Sequence, residues 1–371
     1  MSAHFWLKSE SVPLTLEAIA AMPEEKARLL LAEMRWGSPA EQVCPECGTV
    51  DRHHNIRTRQ QWRCKHCFRT FSVTTGTPFA DHKISYRKLL LAIFAFIINH
   101  KGLAALTLRR IIGGQYRTAF TLLHKLREAV MVTMPQQKLS GVVEIDGGHF
   151  SGKKRKGRKK RKPTAQDKTE VPAKYAQHRE KVKASAFPHH PNRRIVIVLR
   201  EISTEKTGEF NRNGKEIGKG AARTLVAVCR SENAGDIEAL VTQLVMRRSC
   251  IRSDEWSAYG NLKTMGYTHE VVNHSVEFSS DEGYNQNQAE SFFSRMRRAC
   301  IGIYHRITPL YMLDYATEMA WREDVRRQDT IHQMHGLVRR VFGAGLSCDW
   351  LNYCRGNKRK RELLFQASPS S

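Results

Sequence analysis

The sequence predicts a protein whose larger part is an α/β layer, preceded by a metal-clipped ribbon and a helical region. Three observations carry this reading. Four cysteines stand in two tight pairs near the amino terminus, Cys44/Cys47 and Cys64/Cys67. Apolar residues recur at helical spacing on both sides of those pairs, and from Gly141 onward short β-branched runs alternate with helical stretches. At 371 residues the chain accommodates two or three domains, at roughly 150 residues each, and 41% apolar content supplies a substantial core. The 61 Lys and Arg against 36 Asp and Glu leave a net charge of +25, an excess that points to a polyanionic partner.

From Leu14 to Trp36, apolar residues fall mostly three and four apart, which predicts one or two amphipathic helices that end at Gly37-Ser38-Pro39. A second helical region runs from Ser85 to about Val132 and is broken at Gly102 and at Gly113-Gly114, giving three helices. Its ten-residue apolar run, Leu89 to Ile98, falls short of the about 20 residues a membrane span needs, so it predicts a core helix. The opening MSAHFWLKSESVP has no secretory pattern, and a cytoplasmic protein is expected. GVVEID, RRIVIVLREI (193–202), RTLVAVCR (223–230) and Cys250 to Ser253 read as buried strands, with a helix from Asp236 to Val245. The residues from Arg355 onward, RGNKRKRELLFQASPSS, predict a loosely ordered basic tail.

The boundaries that follow are a helical segment at 1–40, a ribbon at 41–80 and a helix-turn-helix-like region at 81–138. The α/β domain is placed at 139–335, with a basic insertion at 151–193, and the tail at 336–371. In the insertion, Lys153, Lys154, Arg155, Lys156, Arg158, Lys159, Lys160, Arg161 and Lys162 crowd into ten positions. Such a run does not fold alone. It reads either as a solvated loop or as an arm on phosphates, adding affinity through counterion release but no sequence preference.

Two C-x-x-C pairs separated by 16 residues let two turns deliver four thiolates to one tetrahedral ion, the pattern of a structural Zn²⁺ site. Four sulfurs fill the shell, so His53, His54 and His66 are left out. Basic residues between and after the pairs, with Trp62, Phe68 and Phe71 interleaved, suit either a nucleic-acid-facing ribbon or its small core. Beyond it, the Gly113-Gly114 turn places Gln115, Tyr116, Arg117 and Thr118 at the start of a candidate recognition helix, with Gln115 and Arg117 the DNA-contacting candidates.

Three acids stand out. Asp146 ends the first strand in VEIDGG, where two glycines would let a substrate backbone approach. Asp254 directly follows the strand Cys250 to Ser253. Glu290 edges a helix whose stripe is Ala289, Phe292, Phe293, Met296 and Cys300, and Arg297 shares its side, placed to meet a phosphate. Glu144 rivals Asp146 as the first acid, and Glu277 and Glu282 rival Glu290.

With these residues in view, the sequence resembles bacterial insertion-sequence transposases of the Asp-Asp-Glu class that carry an amino-terminal zinc ribbon, the ISXO2-like type. The likeness runs from about Leu14 to Arg327 and rests on the cysteine pairs, FSVTTGTPFA, TAFTLLHKLREA, VEIDGGHFSG, SDEWSAYG with Asn273-His274-Ser275, and NQAESFFSRMRR. It implies an RNase H-like domain, a mixed sheet with flanking helices, whose triad falls on Asp146, Asp254 and Glu290. It also implies two Mg²⁺ (or Mn²⁺) at that triad, one Zn²⁺ in the ribbon, double-stranded DNA as partner and at least a homodimer on DNA. The activity implied is cleavage at the element ends followed by strand transfer into target DNA. Many relatives have an acid where this chain has Gly147, and a histidine where it has Asn285. Supporting roles fall on His274, Asn285 and Asn287, and His274 either orients the site or packs beside it. Two other readings stay open: a DNA-binding regulator with an inactive RNase H-like domain, and a Mg²⁺-dependent nuclease without strand transfer.

Overall fold

The computed structural model describes residues 8–150, 193–210, 216–218, 220–254, 257–271 and 287–365. The basic run 153–162, His274 and Asn285 lie outside the described residues, as does the side chain of Asn287. Near the amino terminus, α1 (Leu16–Ala20) and α2 (Glu24–Trp36) form, the first capped by the Thr15 hydroxyl, the second closed by Gly37 at φ +81°. A small ribbon follows. β1 (Gln42–Val43) pairs with β2 (Val50–Asp51), and β3 (His54–Ile56), β4 (Gln61–Arg63) and β5 (Thr70–Phe71) make a three-stranded antiparallel sheet.

Helices α3 (Tyr86–Ile98), α4 (Ala105–Ile112) and α5 (Tyr116–Val132) complete the amino-terminal half. The apolar run becomes the centre of a helical core: Leu89, Leu90, Ile93, Phe94, Phe96 and Ile97 are all buried. The amino end of α3 is fixed twice, by the Ser85 hydroxyl accepting from Lys88 N–H at 3.3 Å and by Glu24 accepting from Tyr86 N–H at 2.5 Å. Gly113 and Gly114, at φ +74° and +83°, make a turn between α4 and α5 that a side chain would strain.

The carboxy-terminal half is a three-layer unit. Its sheet holds β6 (Val142–Phe150), β7 (Arg194–Ile202), β10 (Ala221–Cys229), β11 (Cys250–Ser253) and β12 (Thr268–Val271), in the order β10-β7-β6-β11-β12. β6, β7 and β10 are antiparallel neighbours, whereas β11 runs parallel to both β6 and β12. A hairpin of β8 (Lys206–Phe210) and β9 (Glu216–Gly218) links β7 to β10. Period-two alternation sorts the side chains. Val143, Ile145, Ile197 and Leu199 face α6 (Ala234–Leu244), and Phe150, Val196 and Val198 face α7 (Asn287–Gly302) and α8 (Met312–Val325). The last helix, α9 (Thr330–Gly343), returns to the amino-terminal core through Met334, Leu337, Val338 and Val341.

Two expectations need correction. The first strand does not end at the glycines: β6 continues to Phe150 because antiparallel β7 pairs with it as far as Phe150↔Arg194, so Asp146 is an interior residue of the strand. Nor are residues 355–365, with the segment that leads into them, loosely ordered. Trp350 is buried, Glu128 accepts from Cys348 N–H and Asp349 N–H, Arg359 pairs with buried Asp314, and Phe365 N–H reaches the Val228 carbonyl at 2.8 Å. Of the basic residues there, Arg359 is spent on the internal carboxylates of Asp314 and Asp349, while Arg355, Lys358, Lys360 and Arg361 stay exposed.

Candidate active site and zinc ribbon

The four cysteines converge. Cys44 Sγ lies 3.6 Å from Cys67 Sγ, and Cys47 Sγ lies 3.6 Å from Cys64 Sγ. A tetrahedral site with Zn–S bonds of about 2.3 Å has S···S edges of about 3.8 Å, so the thiols fit zinc closely. His53 is buried against the Thr49 carbonyl and the Lys65 N–H, bracing the knuckles from behind; it is no ligand. Trp62 and Phe71 form the small core with Trp36, at centroid distances of 5.4 and 6.1 Å. Phe68 is instead exposed, beside Arg63, while Arg52, Arg57, Arg59, Lys65 and Arg69 are also exposed. The ribbon's aromatics thus divide between core and surface.

In the α/β half, parallel pairing of β6 with β11 is recorded from Cys250↔Val142 to Arg252↔Glu144. Two residues further along each chain, Asp254 stands level with Asp146, where that pairing has stopped. Glu290 comes from the first turn of α7, which Glu144 holds: its buried carboxylate accepts from Gln288 N–H at 3.0 Å and Ala289 N–H at 3.1 Å. Glu144 is therefore a helix anchor, its carboxylate occupied by the amino end of α7. Arg200 adds a second tie, from β7 to the Gln288 carbonyl at 2.6 Å.

Electrostatics join the three acids. Burial pushes the Asp146 carboxyl up to about 7, and the charges of Asp254, Glu232 and Glu290 push the same way, while Gly147 N–H at 2.7 Å opposes them. Among the described residues the four cysteines are the set drawn within 4.8 Å of one another; the acids form a more open group, with Glu290 exposed. Close by is a cationic rim. Arg297 lies over Phe293 at 5.6 Å, and His149 has its imidazole held down by burial and then by Arg193 and Arg297. Gln115, at the N-cap of α5, and Arg117 in its first turn are both exposed.

The glycines after Asp146 serve the protein itself. A Cβ on Gly148 would stand 2.4 Å from the Phe293 ring, and one on Gly147 would stand 2.3 Å from Glu232 Oε1. They admit neighbouring side chains, a use the sequence reading did not anticipate. Glu232 is the acid that sequence reading missed. Its signal was present: it lies three residues past the end of β10, beyond the same end of the sheet as Asp254, which follows its own strand directly.

A mixed five-stranded sheet in this order, with helices on both faces and acids at the β6/β11 junction and on α7, defines an RNase H-like domain of the transposase type. The chain belongs to the ISXO2-like transposase family, whose domain matches residues 138–324, and a transposase zinc-ribbon domain matches residues 22–70. A relative from Halobacterium salinarum, described as an uncharacterized protein in transposable element ISH50, is 33% identical over 125 residues. That match covers 33% of this chain and 40% of the relative. Among the described residues no helix is long and apolar enough to cross a membrane.

Proposed function

We propose that this chain binds the double-stranded ends of an insertion sequence and catalyses metal-dependent DNA cleavage and strand transfer. The observation that supports it most directly is that Asp146 and Asp254 come from the neighbouring strands β6 and β11, with Glu290 on α7 near enough for its charge to act on Asp146. These acids are hard oxygen donors, and grouped carboxylates of like charge repel unless cations compensate them. Mg²⁺ or Mn²⁺, two per site, would activate a water or 3′-hydroxyl and stabilise the leaving 3′-oxygen of an in-line phosphodiester displacement. Asp146 and Asp254, on adjacent strands, would hold the ions from the sheet side, and Glu290 would close the group from α7. Arg297 and Arg193, whose charges both act on His149, would hold a phosphate at the rim.

The remaining basic surface suits the DNA outside the reacting bond. The ribbon's arginines and the 153–162 run would contact backbone phosphates, and Gln115 and Arg117 would meet base edges at the start of α5. Joining two ends calls for at least a homodimer on DNA, and the site of action would be the bacterial cytoplasm, at the nucleoid.

The deciding experiment pairs gel-shift binding with a Mg²⁺-dependent nicking and joining assay on end-bearing DNA. Asp254→Asn should bind that DNA as the unaltered chain does yet lose both cleavage and joining. A variant that still joined ends would overturn the assignment. Cleavage without joined products by the unaltered chain would make it a nuclease, and binding without cleavage a regulator.

A further inference from the structure

We infer that Glu232 is a fourth carboxylate of the acid centre and a ligand to the divalent cation shared with Asp146 and Asp254. The inference rests on the reading of Asp146, Asp254 and Glu290 as a metal-binding triad, and it adds a residue that the triad does not contain.

Placement comes first. Glu232 lies between the end of β10 and α6, and the next residue, Asn233, caps that helix by accepting from Asp236 N–H at 2.8 Å. Its backbone is therefore fixed beside the sheet end where Asp146 and Asp254 meet. Its side chain lies against the backbone of Gly147, the residue after Asp146, on the α6 side of β6. An ideal Cβ on Gly147 would lie 2.3 Å from Glu232 Oε1 and 2.5 Å from both Cδ and Oε2, so the carboxylate fills the volume that any side chain at 147 would need. Gly147 is absent from the positive-φ residues, so its backbone is open to any amino acid. Space, not conformation, requires glycine there, and the occupant of that space is a carboxylate.

Orientation comes second. The hydroxyl of fully buried Tyr259 donates to Glu232 Oε1 at 2.7 Å, leaving Oε2 as the second donor atom. Burial raises the Glu232 carboxyl, and the Asp254 charge raises it further against the Tyr259 bond. An acid that served only to hold Tyr259 would be replaceable by an amide, which accepts the same hydrogen bond without adding charge to an anionic pocket. The extra negative charge has a use where a divalent cation is to be bound, because hard cations take several oxygen ligands.

The test is Mn²⁺ titration of the full-length, zinc-loaded chain by calorimetry, with thermal unfolding in parallel. Glu232→Gln should raise the Mn²⁺ Kd by about tenfold or more, on the scale set by altering a metal site's supporting groups. Its unfolding midpoint without Mn²⁺ should stay that of the unaltered chain, while the rise on adding Mn²⁺ should shrink. Gly147→Ala, which expels the carboxylate without touching its charge, should weaken Mn²⁺ to the same degree, and Tyr259→Phe to a lesser one. Unaltered Mn²⁺ affinity in Glu232→Gln, alongside lost affinity in Asp146→Asn and Asp254→Asn, would overturn the assignment and leave the triad standing. Unaltered affinity in all three would overturn both.

Discussion

At the scale of single residues, the centre is built from exchanges of space and charge that only the folded chain displays. Gly148 is the clearest. A methyl group there would stand 2.4 Å from the Phe293 ring, in the packed layer between β6 and α7. Gly148→Ala should therefore cost about 1–3 kcal/mol in denaturant unfolding and shift α7, with cleavage falling further than DNA binding. A variant of full stability and activity would show that the layer is looser than drawn. Asp324 makes a different prediction. Burial pushes its carboxyl up to about 7, although Thr224 N–H donates to it at 3.2 Å, and its Oδ1 is buried with no hydrogen-bond partner among the described residues. Because the folded value lies above the unfolded one, the native chain holds an extra proton between about pH 4 and about pH 7, and stability falls as pH rises through that window. Asp324→Asn should flatten that fall, read as a smaller difference in melting temperature between about pH 5 and about pH 8. An unchanged difference would remove Asp324 as the cause.

At the scale of elements, α7 shows how a helix can be aimed by a residue far from it in sequence. Glu144 on β6 satisfies two amide groups at the amino end of α7, where the helix dipole also favours a negative charge. Glu144→Ala should cost about 1–2 kcal/mol, as the loss of a helix cap does, and lower cleavage by Glu290's site while DNA binding persists. Equal losses of cleavage and binding would instead indicate general unfolding. The helix itself was legible in the sequence, because Ala289, Phe292, Phe293 and Met296 are buried on one stripe as their spacing predicts. So were β7 and β10, whose alternating apolar residues face two different cores. The anchoring role of Glu144 was not legible, since period two places Glu144 and Asp146 on one face and says nothing of which reaches a helix end. β12 was missed because it is a four-residue edge strand, paired on one side alone and polar at three of its four positions, with little apolar pattern to find.

At the scale of the whole molecule, α8 belongs to both halves. Trp321 stacks on Phe96 in the helical core, whereas Ala316, Met319 and Ala320 pack beneath the sheet. Between them lies a buried ionic group: Arg127 of α5 donates to Glu318 at 2.6 Å, Arg322 donates to the same carboxylate, and the Tyr304 hydroxyl adds a contact at 3.2 Å. Glu318→Leu would strand two guanidinium groups and should cost about 3–5 kcal/mol, read as a lower denaturant midpoint for a single transition. A loss under about 1 kcal/mol would show that the halves hold together without it. Sequence reading divided the chain at 138 and 335 because texture changes there; nothing in local composition reveals that α8 and α9 return to the first core.

That return also bears on how the protein comes into being. Leu14 N–H bonds the Thr330 hydroxyl, and α9 closes the pocket into which the earliest helices pack. The earliest helices can pack on α3 as soon as it is made, but a ribosome must finish more than three hundred codons before α9 arrives to cover the rest of that core. A chain cut short before α9 would leave that apolar surface uncovered and should unfold at lower denaturant than the full-length protein.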